Sequence, residues 1–212
     1  MRRLPRGRHG LSRDFVAQNQ RERLLAAIAE TLDELGYEKT TVSSIGAHAH
    51  VSKSDFYRHF GSKDDCFLGA YDEAIELLRE EVVSSCVGRA DWADGVCEAL
   101  AAVLAWFAHE PAKANLLLVE GLRVGRDVYE RYLAALQSFV PYLRRGAPEG
   151  VVVPRPPEAT DEAVIGGVAA LIGRRVVAGE TDQLERFFPE VAQFALAPYL
   201  GAAEARRIIS AR

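Results

Sequence analysis

Apolar residues along the chain fall into helical stripes separated by short polar breaks. Leu24, Ile28, Leu32 and Leu35 recur at spacings of four, four and three, which is one face of a helix starting near residue 14. Gly36 follows directly, the residue type favoured just past a helix C-terminus. Shorter pieces come next. Thr40 and Thr41 precede Val42 and Ile45, so a hydroxyl is placed to cap a helix that ends near Ala49. Ser52 is a second cap, ahead of a segment carrying Phe56, Tyr57 and Phe60. Gly61-Ser62 break the chain again, and Phe67, Tyr71, Ile75, Leu78 and Val82 then form a long amphipathic stripe.

The pattern predicts further helices over residues 91–109, 112–122, 127–145, 161–178 and 182–199, with Pro111 stopping the first of them. Residues 146–157 are rich in Pro, Gly and Val and predict a loop. Its Val151-Val152-Val153 is the one strand-like run. The expectation is an all-α chain of about nine helices. Its parts are a flexible basic arm over residues 1–13, a three-helix domain over 14–61, and a larger helical domain over 62–212.

Composition changes this picture mainly through charge. The 212 residues are 49% hydrophobic and 26% charged, which is ordinary for a globular chain. No apolar run approaches the roughly 18–20 residues needed to span a bilayer, and no apolar segment of a secretory signal follows the basic start. The expectation is therefore a cytoplasmic protein with no membrane partner. Cys66, Cys86 and Cys97 lack Cys-x-x-Cys spacing, which argues against structural zinc or a disulfide framework. His48 and His50 stand two apart, so on a helix they face different ways, and no metal or cofactor is expected. The net charge of −4 hides an asymmetry. Residues 1–13 hold five arginines (Arg2, Arg3, Arg6, Arg8 and Arg13) and no acid. Residues 1–60 carry ten Lys or Arg against seven Asp or Glu, whereas 61–212 carry sixteen against twenty-three. A positive head on a negative body suits a protein whose head alone approaches a polyanion. Arg6 and Arg8 are candidates for contacting DNA.

Two short helices joined by a tight turn, with a helix on either side, make a helix-turn-helix whose second short helix is placed to enter a major groove. Val42, Ile45, Ala49, Val51 and Phe56 can pack inward. That leaves Ser52, Lys53, Ser54, Asp55, Tyr57 and Arg58 near the start and outer face of the second helix.

This run resembles the DNA-binding module of the tetracycline-repressor-like (TetR) transcription regulators. Their pattern is a Gly-aromatic pair, two Thr and a hydrophobic residue, Ile-Ala, a turn ending Gly-Val-Ser, Phe-Tyr-x-x-Phe, and a Lys opening the next helix. Gly36-Tyr37, Thr40-Thr41-Val42, Ile45, Val51-Ser52, Phe56-Tyr57, His59-Phe60 and Lys63 match it in register over about thirty residues. The resemblance implies that Thr41 caps the first short helix and touches a phosphate. By the same likeness Ser52, Lys53 and Ser54 stand at the start of the recognition helix, Tyr57 and His59 reach the DNA backbone, and Lys63 pairs with a phosphate. Lys53 and Arg58 are the candidates for reading bases.

Three positions depart from the pattern. His50 stands where the family has its turn glycine, so a non-glycine residue must accept φ > 0. Gly46 replaces Ala, at about 1 kcal/mol of helix propensity. Asp55 replaces Thr or Ser and puts a carboxylate where a phosphate contact is expected. That weakens binding unless Asp55 accepts from a cytosine amino group or pairs with Arg58, and a base-specific role is the expectation.

By likeness to the family, the last two long helices build a homodimer that binds a pseudo-palindromic operator in double-stranded DNA. Ile165, Gly166, Ala169, Ala170 and Gly173 include the small residues that let helices approach closely, and Phe187, Val191 and Phe194 can complete the seam. A small-molecule effector, largely apolar, is expected against Trp106, Phe107, Leu117, Glu120, Arg123, Tyr129 and Tyr132. Its binding would tilt the long helix after Lys63 and change the recognition-helix spacing, releasing a repressor. The alternatives are an all-α small-molecule carrier or enzyme, against which stands the lack of a nucleophile–base or metal-ligand cluster, and a helical adaptor with a degenerate helix-turn-helix.

Overall fold

The computed structural model describes residues 12–86, 89, 91–144, 157 and 159–212. Arg6, Arg8 and most of the basic arm lie outside the described residues, as do Val151-Val152-Val153 and most of the predicted loop. The chain divides into two compact units, Met1–Glu73 and Ala74–Arg212. The described residues form α-helices and short 3₁₀ segments, with no strand among them.

The first unit holds α1 (Arg13–Leu35), α2 (Val42–Ala49), α3 (Lys53–His59) and the beginning of α4 (Lys63–Cys86). Ser12 caps α1 by accepting the Phe15 N–H at 3.1 Å. Gly36, at φ 72°, ends the helix and returns its own N–H to the Leu32 carbonyl at 2.8 Å. Leu24, Ile28 and Leu32 are fully or almost fully buried, as the stripe predicts, while Leu35 in the final turn is exposed. Ile45, Val51, Phe56, Phe60, Cys66, Phe67 and Tyr71 complete this core. Thr40, itself buried, donates its hydroxyl to the Gly36 carbonyl at 2.9 Å, which ties down the connection from α1 to α2.

The second unit contains α5 (Trp92–His109), α6 (Pro111–Leu118), α7 (Arg126–Arg144), α8 (Ala159–Val177), α9 (Phe188–Leu200) and α10 (Ala202–Ser210). The described residues thus carry ten α-helices where about nine were expected. Residues 112–122 do not make one helix: α6 stops at Leu118 and a 3₁₀ turn, Glu120–Leu122, follows. The predicted helix over 182–199 is also divided. Thr181–Phe187 is 3₁₀, and α9 starts beside Pro189, whose missing N–H is harmless only in a first turn. Gly201, at φ 80°, ends α9 and turns the chain into α10, which the periodicity reading passed over. α8 packs on α6, α7 and α9, and α5 packs on α9 and the second 3₁₀ segment.

Candidate nucleic-acid interface

Both short helices of the first unit are capped by their own side chains. The Thr41 hydroxyl accepts the Ser44 N–H at 3.1 Å, and the Ser44 hydroxyl accepts the Thr41 N–H at 2.9 Å. This is a reciprocal capping box with serine in the place usually taken by Glu or Gln. α2 ends at His50, the one non-glycine residue with positive φ among the described residues (φ 52°, ψ 43°). The strain expected at this position is therefore present. Four contacts surround it. Arg23 of α1 donates to the Ala49 carbonyl and, at 3.0 Å, to that of His50. Val51 N–H donates to the Gly46 carbonyl at 2.8 Å. His48 meets Glu30 of α1 at 2.7 Å.

Gly46 has a reason that helix propensity alone does not give. A Cβ there would sit 2.8 Å from the Val51 carbonyl oxygen, so the turn closes against the bare α-carbon. The glycine is a requirement of this turn as built.

α3 rests on buried Phe56 and Phe60 and presents its polar side outward. Thr41, Ser52, Lys53, Ser54, Tyr57 and Arg58 are exposed, and Asp55, His59 and Lys63 are half-buried. The structure thus brings these nine predicted side chains to α3 and the helix starts beside it, but not all of them are at liberty. Ser52 accepts the Asp55 N–H at 3.0 Å and donates its hydroxyl proton to Asp55 Oδ2 at 2.7 Å. Asp55 Oδ1 accepts from Arg58 Nη1 at 2.8 Å, so the Asp55–Arg58 pair considered from the sequence exists. His59 Nε2 lies 3.2 Å from Gln20 Oε1 of α1. Burial lowers the His59 pKa from its usual value, with Arg21 and Arg58 adding to the effect and Asp55 opposing it. Lys63 donates its ammonium to the Tyr37 carbonyl at 2.9 Å and lies 3.7 Å from the centre of the Tyr37 ring. Tyr37 in turn donates its hydroxyl to Asp64. Burial, and then that carboxylate, push the phenol above its usual range.

Sequence reasoning missed Arg23, Gln20, Tyr37 and Ser44. Ser44 and Asp55 carried a usable signal, each standing three residues after a capping Thr or Ser. Arg23 and Gln20 act across the sequence and left none, and Tyr37, though part of the Gly36-Tyr37 pair, gave no sign of its tie to Lys63.

The residues expected at an effector site divide by burial. Phe107, Leu117 and Glu120 are buried, Trp106 and Tyr132 half-buried, and Tyr129 and Arg123 exposed. Arg123 Nη1 lies 3.6 Å from Glu120 Oε1. Tyr129 and Tyr132 stack on α7 with centroids 6.2 Å apart. The expected seam residues divide too. Gly173, Phe187 and Val191 are buried within their own chain, Gly173 beneath Leu118. Ile165, Gly166 and Ala169 are half-buried, and Ala170 and Phe194 are exposed. The Phe194 ring lies over Gly167, where a Cβ would come within 2.5 Å of it. One polar cluster went unforeseen. Buried Asp161 of α8 accepts from Arg144 Nε at 2.7 Å and from the Tyr199 hydroxyl at 2.6 Å. Trp92 packs edge-on against Tyr199 and donates to the Leu143 carbonyl at 2.8 Å.

Two capped short helices meeting at the His50 turn, steadied by α1, define the helix-turn-helix class of protein. Residues 24–70 match the family model for bacterial regulatory proteins of the tetR family. The matched segment takes in all of α2 and α3, so the helix-turn-helix of this chain is similar to that of these regulatory proteins. The HTH-type transcriptional regulator HbdR of Aromatoleum is 26% identical over 85 residues, 40% of this chain and 37% of that protein. An uncharacterized HTH-type transcriptional regulator of Mycobacterium tuberculosis is 38% identical over 55 residues, 26% of this chain and 27% of that protein. The matches therefore span well under half the length of either curated relative. Among solved structures, the fatty acid degradation regulator FadR of Bacillus halodurans superposes with a TM-score of 0.75 at 16% identity, covering 84% of this chain and 94% of that one. FadR of Bacillus subtilis, in complex with stearoyl-CoA, gives 0.73 at 16% identity, covering 85% and 98%. These likenesses show a shared fold. Among the described residues no group of His, Cys, Asp and Glu is gathered to hold a metal, and no helix is long and apolar enough to cross a membrane.

Proposed function

We propose that this chain is a homodimeric, sequence-specific DNA-binding transcription regulator, and that it represses until a small, largely apolar effector releases it. The observation that carries the reading is α3 itself. It is a capped helix anchored by buried Phe56, with Lys53, Ser54, Tyr57 and Arg58 exposed on its outer side, inside the segment that matches the tetR family. Lys53 and Arg58 read base edges, and Thr41, Ser54 and Tyr57 meet the phosphate backbone. Lys63 contributes its charge from where Tyr37 holds it. Arg6 and Arg8 belong to an arm that adds phosphate or minor-groove contacts.

In the same proposal, residues 62–212 sense and dimerise, with the seam on the outward side of α8 and α9, at Gly166, Ala169, Ala170 and Phe194. Gly173, Phe187 and Val191 support that seam from within. The stearoyl-CoA carried by the Bacillus subtilis neighbour makes long-chain acyl thioesters the first effector class to test. Glu120 and Arg123 would orient the polar end of such a ligand. A tenfold loss of operator affinity requires only about 1.4 kcal/mol of differential binding between the two states.

The test is fluorescence anisotropy with the DNA immediately upstream of the protein's own gene, at two salt concentrations, against random duplexes. A dimeric complex at least about tenfold tighter than random DNA is expected. Equal and steeply salt-dependent binding to both would leave only the electrostatic attraction, and the adaptor reading would replace this one.

A further inference from the structure

Resting on the reading of α3 as a DNA-reading helix, we propose that Asp55 is a positioning residue that fixes Arg58 as the base reader and removes Ser52 from phosphate contact. Three geometric facts lead there. The Ser52 hydroxyl has a single proton, and it goes to Asp55 Oδ2 at 2.7 Å while the same oxygen caps the Asp55 N–H at 3.0 Å. A phosphate oxygen needs a donor, and the Ser52 side chain has none left for it.

The second oxygen of Asp55 holds Arg58 Nη1 at 2.8 Å. The Arg58 side chain is otherwise 74% exposed, so one corner of the guanidinium is fixed and the rest of the fork faces outward. That fork matches the O6 and N7 of guanine. An exposed pair one helical turn apart adds little to folding stability, so its effect falls on orientation instead. An arginine already held in one rotamer loses less freedom on docking to the matching base, and the same restraint hinders it from adjusting to another.

The third fact is charge. A carboxylate beside a polyanion repels every DNA sequence alike. Asp55 therefore lowers affinity in general while raising discrimination. These two effects have opposite signs in the Asp55→Asn variant, which retains an acceptor for the Ser52 hydroxyl.

The experiment selects preferred duplexes from a randomised pool with the full-length wild-type chain. It then compares wild type, Asp55→Asn, Arg58→Ala and the double variant on the preferred and random duplexes, with helicity checked by circular dichroism. Asp55→Asn is expected to bind random DNA more tightly yet to lose, on the order of fivefold, its preference for one guanine. Arg58→Ala loses the same guanine, and the double variant loses no more than Arg58→Ala alone. If Asp55→Asn changes affinity by one factor on all duplexes, or Arg58→Ala leaves the base preference intact, the positioning role is overturned while the regulator reading stands. If the wild-type chain selects no sequence, the regulator reading falls and takes this inference with it.

Discussion

His50 holds a left-handed backbone with a side chain attached, and Gly46 supplies the bare α-carbon against which that turn closes. The related pattern puts glycine at position 50 and alanine at position 46, so the two departures belong to one local solution. Gly46→Ala gains roughly 1 kcal/mol of helix propensity. It also drives a methyl group into the Val51 carbonyl, a clash of the kind that costs about 1–3 kcal/mol. The expected outcome is a lower urea midpoint. His50→Gly removes a left-handed penalty of about 1 kcal/mol and is expected to raise that midpoint. Combined, the two are expected to be less damaging than their sum, because a glycine turn can open to admit the methyl group. His59 gives a pH signature at the same scale. Its folded pKa lies below the unfolded value, so its contribution is complete above about pH 6.5 and declines as the pH falls below that. A His59→Gln variant should accordingly lose less stability than wild type between neutral and mildly acid pH in thermal melts.

Among the elements, α1 to α4 were legible in outline because each announces itself locally: an apolar stripe, a hydroxyl at the start, a glycine or an aromatic pair at the end. The long-range ties were not legible. Nothing in the spacing of Arg23, 26 residues before Ala49, marks it as the clamp on the end of α2. The same holds for Tyr37 as the seat of Lys63. Likewise the 3₁₀ break at Phe187 and the start of α10 depend on where Pro189 and Gly201 end their neighbours, and periodicity blurs such boundaries. The cluster of Arg144, Asp161, Tyr199 and Trp92 joins the ends of α7 and α8 to α9 and α5, and only the fold assembles it. Burial, and then hydrogen bonding to Asp161, push the Tyr199 phenol above its usual range. Asp161→Ala strands that hydroxyl in a buried site. It is expected to cost about 1–3 kcal/mol, read as a lower melting temperature, with Asp161→Asn milder because the amide oxygen still accepts.

For the whole molecule, the outward side of α8 and α9 is where a proposed dimer can be tested without disturbing the core. Ala170 is exposed, so Ala170→Arg should leave each chain helical by circular dichroism. Sedimentation should then show a monomer, with operator affinity lost alongside the partner. Val191→Arg would instead unfold the chain, since Val191 is fully enclosed by its own subunit. The cysteines carry a separate consequence. Cys66 lies in the first unit and Cys97 in the second, both without solvent exposure, while Cys86 is half-exposed. Burial pushes the Cys66 thiol up to about 12 and raises that of Cys97. Thiolates, not thiols, react with alkylating agents, so both stay silent at neutral pH until their surroundings open. The chain thus contains one chemical clock in each unit. Timed alkylation read by peptide mass would record how fast each half breathes, and whether DNA slows the Cys66 clock while an effector slows that of Cys97.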